Sequence, residues 1–260
     1  MFGLEECLTP STKVLSLYYK EKTILKSRFG KIYRKDFNHA EFVGQELCDM
    51  RNIPTARYTV IGECVFHREG YTRYEDLNPR LYKFRIGSYD FKKDDSDYFI
   101  MSKEQLNEGE SLNVLLSLCP STENKKQLLD EVLELIALDT YMGQTDRTGT
   151  NIIFSKNKKT KDIHLAPIFD YEYSLKRQYL SPYSIYENSI TRFDSVEDYQ
   201  YFMEKYPELA DKLKFYLDVD LKDTIRRSYA SRGLIIPSMY YKFYEQFDED
   251  RKELIKKIVR

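Results

Sequence analysis

Two short stretches of sequence decide the fold and the function that we predict for this chain. They are GQTDRTGTNIIF, residues 143–154, and LAPIFDY, residues 165–171. In the first stretch Asp146 lies in a polar loop and Asn151 follows five positions later; in the second, Asp170 directly follows two apolar residues. An apolar helical pattern precedes the first stretch, and the pattern between the two is typical of a β-hairpin. A hairpin returns the chain, so we expect Asp170 to lie beside Asn151.

These residue types in this order indicate phosphoryl transfer. One carboxylate accepts or orients the proton of the attacking hydroxyl, while an amide and a second carboxylate hold the Mg²⁺ that bridges the phosphates. Mg²⁺ prefers oxygen ligands and is bound through few protein groups. Each residue alone has an ordinary alternative, because Asp and Asn also form turns and cap strand ends. The combined order of helix, D-x-x-x-x-N, strand, turn, strand and apolar-apolar-Asp favours the catalytic interpretation.

The rest of the chain has the pattern of an α+β protein with two parts. Residues 1–100 are predicted to form strands around one helix at 38–51, and residues 101–260 are mainly helical. The predicted strands of the first part lie at 14–19, 23–25, 31–34, 57–66 and 81–89. The predicted helices of the second part lie at 124–141, 196–205, 207–217, 221–231 and 237–258, the last of them broken. We therefore predict a bilobed fold with a β-rich N-terminal lobe and a mostly α-helical C-terminal lobe.

Composition argues against several other classes of function. The 260 residues carry 41 Lys+Arg and 42 Asp+Glu, a net charge of -1, so charge provides no general attraction to nucleic acid. No apolar run approaches the roughly 18 residues of a membrane span. The four cysteines form no C-x-x-C pair and do not cluster with the three histidines, which argues against a zinc site. The N-terminal residues lack the pattern of a secretory signal, so we expect a cytoplasmic protein.

The two stretches resemble the catalytic and metal-binding loops of HipA-like kinases, a bacterial serine/threonine-kinase branch of the kinase-like fold. That family has a similar G-x-x-D-x-x-x-x-N stretch, followed by a segment like Pro167 to Asp170. The first loop is also similar to the D-R-H-x-x-N loop of phosphatidylinositol 3/4-kinases, but the hairpin length and the proline favour the HipA-like branch. The resemblance implies that Asp146 is the catalytic aspartate, Asn151 a metal ligand and Asp170 the principal Mg²⁺ ligand.

Upstream, the resemblance assigns residues to nucleotide binding. The strand around Lys26 is similar to the family strand that carries a phosphate-binding lysine; Lys35 is the alternative. The segment Asn38 to Phe42 resembles the family's N-E-x-aromatic helix, which implies Glu41 as the acidic partner of that lysine. Glu41 also has the spacing from Asn38 of a capping box. Glu46, a charge on the apolar stripe of the same helix, is the alternative acidic partner.

The sequence departs from the family pattern at two places. Thr148 stands where both related patterns usually have histidine, and no G-x-G-x-x-G occurs, so a phosphate-covering loop would have to use residues 8–12. The leading hypothesis is a protein serine/threonine kinase that uses ATP and Mg²⁺ and acts on an unidentified protein substrate. The alternatives are an inactive kinase fold with a binding or regulatory role, or an enzyme that phosphorylates a small molecule or lipid or transfers a nucleotide.

Overall fold

The fold is described from a computed structural model. The structure describes residues 14–17, 24–27, 30–36, 39–64, 82–89, 91–101, 111–144, 147, 151–171, 174–175, 186–187, 192–193, 195–232 and 239–260. The chain divides into two compact units, one formed by residues 1–39 and 56–91 and the other by residues 40–55 and 92–260.

The first unit contains a five-stranded antiparallel sheet in the order β1-β2-β3-β5-β4. The five strands are β1 Val14–Leu17, β2 Ile24–Ser27, β3 Gly30–Asp36, β4 Tyr58–Cys64 and β5 Tyr82–Tyr89. All five predicted strands are therefore confirmed, with ends that differ by a few residues. Their β-branched and aromatic residues suit a pleated sheet.

The second unit contains most of the helical residues. The described helices are α1 His39–Arg51, α2 Ser111–Ser117, α3 Thr122–Met142, α4 Val196–Lys205, α5 Glu208–Phe215, α6 Leu221–Ala230 and α7 Met239–Ile258. The prediction that the last helix is broken is wrong: α7 is continuous, and its sequence contains no Gly or Pro to interrupt it. Helix α2 was not predicted. Within the described part of the chain, no helix combines the length and the apolar character that crossing a membrane requires.

Helix α3 is the core of the second unit. It begins after Ser121, whose hydroxyl accepts a hydrogen bond from the backbone N–H of Asn124 at 3.1 Å. The sequence predicts one apolar stripe, but every residue from 132 to 142 is buried, because α3 packs against α5, α7 and the hairpin described below. Two acidic residues, Glu134 and Asp139, are thereby buried in the core, and buried carboxylates need partners.

The predicted hairpin is present and belongs to a three-stranded antiparallel sheet. The strands β6 Ser96–Phe99, β7 Phe154–Asn157 and β8 Ile163–Leu165 lie in the order β6-β7-β8. The first hairpin strand begins at Phe154, three residues after Asn151, and β6 was not predicted. Two short strands, β9 Tyr186–Glu187 and β10 Arg192–Phe193, pair with each other.

Side chains of α3 satisfy the backbone of β8 on the edge away from β7. The side-chain amide of Asn124 donates to Ile163 O at 2.8 Å and accepts from Ile163 N–H at 2.9 Å, so it pairs with β8 as the backbone of a neighbouring strand would. Glu131 Oε2 accepts from Leu165 N–H at 2.7 Å, and its Oε1 lies 3.0 Å from His164 Nδ1. The hairpin is therefore fixed directly to the core helix.

Candidate active site

The polar loop starts at a glycine that ends α3. Gly143 has φ +60° in the left-handed region, and its N–H donates to the carbonyls of Asp139 and Thr140. A Cβ at this position would lie 3.5 Å from the Phe247 ring and 3.8 Å from Arg251 Cζ. Gly is the residue that adopts this conformation without strain, which explains the first position of the G-x-x-D motif.

Arg147, the residue after Asp146, ties the polar loop to the segment that carries Asp170. Its guanidinium is fully buried and holds Asp139 with two hydrogen bonds, Nε to Oδ2 at 2.9 Å and Nη2 to Oδ1 at 2.8 Å. The third nitrogen, Nη1, donates to Phe169 O at 2.5 Å. The residue after Asp146, the predicted catalytic aspartate, is therefore bonded to the residue before Asp170, the predicted metal ligand.

The backbone of residues 168–171 is held by side chains and by a backbone hydrogen bond from Ile168 N–H to Pro54 O at 2.9 Å. Thr55 Oγ1 donates to Ile168 O at 2.9 Å. Gln144, from the polar loop, donates through Nε2 to Asp170 O at 2.7 Å. Each carbonyl that these side chains bind belongs to the segment that positions the Asp170 carboxylate, so the position of that carboxylate is set by tertiary contacts.

Asp170 has a strained backbone. Its φ is +63°, in the left-handed region, which costs a residue with a Cβ about 1–2 kcal/mol. The next amide, Tyr171 N–H, donates to Glu41 Oε2 at 3.2 Å, and the Glu41 side chain is fully buried. Glu41 on α1 and the segment around Asp170 are thus brought together. Backbone strain like that of Asp170 persists where surrounding contacts hold the residue, and it occurs most often at functional sites.

Tyr171 anchors the same segment in the core. Its buried ring packs on Gly44 so closely that a Cβ there would lie 2.7 Å from the ring carbons. Its hydroxyl lies 3.2 Å from both Cys48 Sγ and Thr55 Oγ1. Burial raises the pKa of Cys48 to about 12 and the pKa of Tyr171 well above its ordinary value. Both groups therefore remain protonated near neutral pH, and Cys48 is a poor nucleophile.

Asn151 and Asp170 lie on the two arms of chain that extend from the open end of the β7–β8 hairpin. Beyond the paired strands, Ala166 N–H donates to Ile153 O at 2.8 Å, which extends the ladder toward the open end. Asn151 lies two residues beyond this pair on one arm and Asp170 four residues beyond it on the other. Both side chains are half-buried. This topology favours a common site for the two.

The other predicted site residues differ in how far the structure describes them. Asp146 lies outside the described residues. The backbone of Lys26 pairs with Leu15 and Lys31 in the sheet of the first unit, while its side chain lies outside the described part. The alternative lysine, Lys35, is in β3 of that sheet and is described to the same extent.

The alternative acidic residue, Glu46, is half-buried. Its carboxylate lies 3.9 Å from Arg227 Nε. An ion pair with a cation on α6 accounts for a charged residue at this position of the helix, where the sequence pattern predicts an apolar side chain.

Sequence reasoning missed the residues that support the site. The buried carboxylate of Asp139 had one local signal, a charge in the apolar run ELIALDTYM. Gln144 and Thr55 had none, since their hydrogen bonds join residues 26 and 113 positions apart. Their roles depend on tertiary structure.

The donor set at the open end of the hairpin fits Mg²⁺ chemically. Asn151 and Asp170 provide oxygen donors, which a small hard cation prefers, and both are half-buried. Among the described residues, no three His, Cys, Asp or Glu side chains cluster as a metal site. The proposed Mg²⁺ site would not form such a cluster, because its described donors are one amide, that of Asn151, and one carboxylate, that of Asp170.

Comparison with known proteins shows the fold. No family model matches the chain, and no curated protein matches its sequence. A solved structure of the proinflammatory kinase CtkA from Helicobacter pylori is similar with a TM-score of 0.58 and 15% identity, over 95% of this chain and 92% of that one. HipA from Shewanella oneidensis, solved with HipB and operator DNA, is similar with a TM-score of 0.55 and 13% identity, over 97% of this chain and 66% of HipA.

The chain therefore has a kinase-like fold with mixed helix and sheet. The resemblance to HipA-like kinases that the two sequence stretches predict is confirmed as a likeness of fold. Since structure is retained far longer than activity, the chemistry has to be argued from the site itself.

Proposed function

We propose that this chain is an ATP- and Mg²⁺-dependent phosphotransferase, a HipA-like kinase that phosphorylates Ser or Thr of a protein. The observation that carries the proposal is the buried Arg147 guanidinium, which binds Asp139 and Phe169 O together. If Asp146 and Asp170 lay in two unrelated turns, no buried charge would be needed to hold the two segments together. The likeness to two kinases over almost the whole chain supports the same interpretation.

Each residue has a defined role in this proposal. Asp146 accepts or orients the proton of the attacking hydroxyl, and Asn151 and Asp170 hold the metal ion. Bound Mg²⁺ would neutralise charge on the transferred phosphate and orient it. Lys26 binds phosphate oxygens, and Glu41, by family resemblance, orients that lysine. Glu41 has an additional role in the structure, since it accepts a hydrogen bond from the Tyr171 amide.

We assign the two units to the two lobes of a kinase. The five-stranded sheet of the first unit would be the nucleotide-binding N-terminal lobe, and the helical second unit the C-terminal lobe. Helix α1, which carries Glu41, groups with the second unit. The sequence-based boundary near residue 100 remains a prediction.

The proposal is tested by transfer of label from γ-labelled ATP to the chain itself and to a mixture of candidate proteins. Asp146→Asn should lower turnover about 10²- to 10⁴-fold and leave Mg·ATP binding largely intact, because it removes a proton acceptor and no metal ligand. Asp170→Ala should weaken Mg·ATP binding measured by calorimetry. Asp95→Asn, at an exposed carboxylate beside β6, is the matched control and should behave as the wild type.

The same assays separate the alternatives. Binding of Mg·ATP without any turnover would identify an inactive module. Mass spectrometry of the product distinguishes the addition of one phosphate, as the proposal requires, from the addition of AMP. If neither Asp146→Asn nor Asp170→Ala alters turnover of an active wild type, the assignment of the site is wrong.

A further inference from the structure

We propose that Arg251 of α7 is a positioning residue that holds the end of α3 and, through it, the polar loop that contains Asp146. The consequence for catalysis rests on the proposed function. Arg251 is 5% exposed, and its Nη2 donates a hydrogen bond to Thr140 O in the last turn of α3. Its Cζ lies 3.8 Å from the position of a Cβ on Gly143, the first residue of the loop.

Burial of the Arg251 guanidinium costs free energy. A residue that served only to stabilise the fold would not be expected to carry this cost. Arg251 Nε is buried with no hydrogen-bond partner among the described residues. Burial lowers its pKa, whereas the fully buried Arg147 has the carboxylate of Asp139 against it. The negative end of the α3 dipole compensates the charge only in part. Burial of this charge has a desolvation cost that an apolar side chain of similar length would not have.

The last turn of α3 is the part of the helix through which a shift would reach the loop. Asp139 O accepts hydrogen bonds from Gly143 N–H and from Gln144 N–H, the latter at 3.0 Å. The Asp139 side chain holds Arg147. Movement of this turn would therefore move both residues that bind the carbonyls of the Asp170 segment.

The arrangement predicts a separation of stability from activity. Arg251→Met should leave the thermal unfolding midpoint unchanged or higher and lower kcat about tenfold or more, with KM for Mg·ATP little changed, since loss of alignment affects the chemical step. Arg251→Lys keeps a cation that can donate to Thr140 O and should restore part of kcat. A residue with a purely structural role would show no such separation.

Lys252→Met is the matched control. Lys252 is the next residue of α7, is partly buried, and also donates to a backbone carbonyl, Val219 O at 2.5 Å. Among the described residues it makes no hydrogen bond with α3; it binds Asp248, which accepts from the Tyr141 hydroxyl of α3, and that bond stays in place when Lys252 is replaced. Its replacement should leave kcat unchanged. Hydrogen exchange of a peptide covering residues 140–147 provides a readout that does not depend on activity: exchange should be faster in Arg251→Met than in the wild type and in Lys252→Met.

Three results would overturn the inference. One is a lower unfolding midpoint for Arg251→Met with kcat retained, another is an equal loss of kcat in Lys252→Met, and the third is unchanged exchange of the 140–147 peptide in Arg251→Met. If the wild type transfers no phosphate, the proposed function fails, and the exchange experiment alone decides whether Arg251 holds the loop.

Discussion

Arg147 Nη1 donates a 2.5 Å hydrogen bond to Phe169 O, although the two residues are 22 positions apart in the chain. The same guanidinium is fully buried and holds both carboxylate oxygens of Asp139. One arginine thus joins the core helix, the polar loop and the segment before Asp170. A planar guanidinium suits this task, because it can bind a carboxylate with two nitrogens and a carbonyl with the third.

Breaking this buried pair should be costly. Arg147→Met leaves the Asp139 carboxylate buried without the guanidinium that neutralises it, so we expect a loss of about 3–5 kcal/mol in the free energy of unfolding. The double variant with Asp139→Asn should lose less than the sum of the two single changes, as measured by urea unfolding. Arg226→Met, which removes an exposed ion pair with Asp223, is the control and should have little effect. A near-neutral Arg147→Met would show that the pair does not hold the loops.

Tyr171 should keep its packed position only if residue 44 has no side chain. Ala favours a helix over Gly by about 1 kcal/mol, yet a Cβ at this position would lie 2.7 Å from the Tyr171 ring. We expect the clash to prevail, so that Gly44→Ala lowers stability by about 1–3 kcal/mol and also weakens Mg·ATP binding, because Tyr171 adjoins Asp170. Asp49→Ala, at an exposed position of the same helix, is the control. Stabilisation by Gly44→Ala would contradict the packing described here.

Local sequence patterns predicted most of the helices and strands, whereas α2, β6 and the contacts within the site were not predicted. The five strands of the first unit, the long helix α3 and the β7–β8 hairpin follow from periodicity and turn residues. Strand β6 was missed because KKDDSD at 92–97 is typical of a loop, and only pairing with β7 makes Ser96–Phe99 a strand. Of the site, the D-x-x-x-x-N spacing was visible in sequence. The Glu41 bond to an amide 130 positions away was not, since no local property specifies such a contact.

The contact between α3 and the hairpin should depend on an amide. In Asn124→Asp the carboxylate still accepts from Ile163 N–H but no longer donates to Ile163 O, so two acceptors face each other in a buried site. We expect a loss of about 1–3 kcal/mol in unfolding free energy, measured by urea titration near pH 7. Asn113→Asp is the matched control, because that exposed side chain only accepts hydrogen bonds, from Lys205 and Tyr206. Equal effects of the two changes would show that Asn124 does not anchor β8.

Stability should fall in alkaline solution because of buried acids that stay protonated in the native state. The pKa of Cys48 is raised to about 12, so above about pH 9 the unfolded chain loses a proton that the folded chain keeps. The unfolding free energy then decreases as pH rises, by up to about 1.4 kcal/mol per pH unit for this thiol. Raised pKa values of Tyr171 and Tyr199 add to the decrease above pH 10. Chemical unfolding from pH 8 to 10 should show a shallower slope in Cys48→Ala, and an unchanged slope would contradict the assignment.

The central claim is that residues far apart in the chain share one divalent cation. Its most direct test is a crystal structure with Mg²⁺ and a non-hydrolysable ATP analogue. We predict a metal ion about 2.0–2.1 Å from oxygens of both Asn151 and Asp170, bridging the phosphates, with Asp146 facing the terminal phosphate. An analogue bound elsewhere, or a metal ion that neither residue contacts, would contradict the claim.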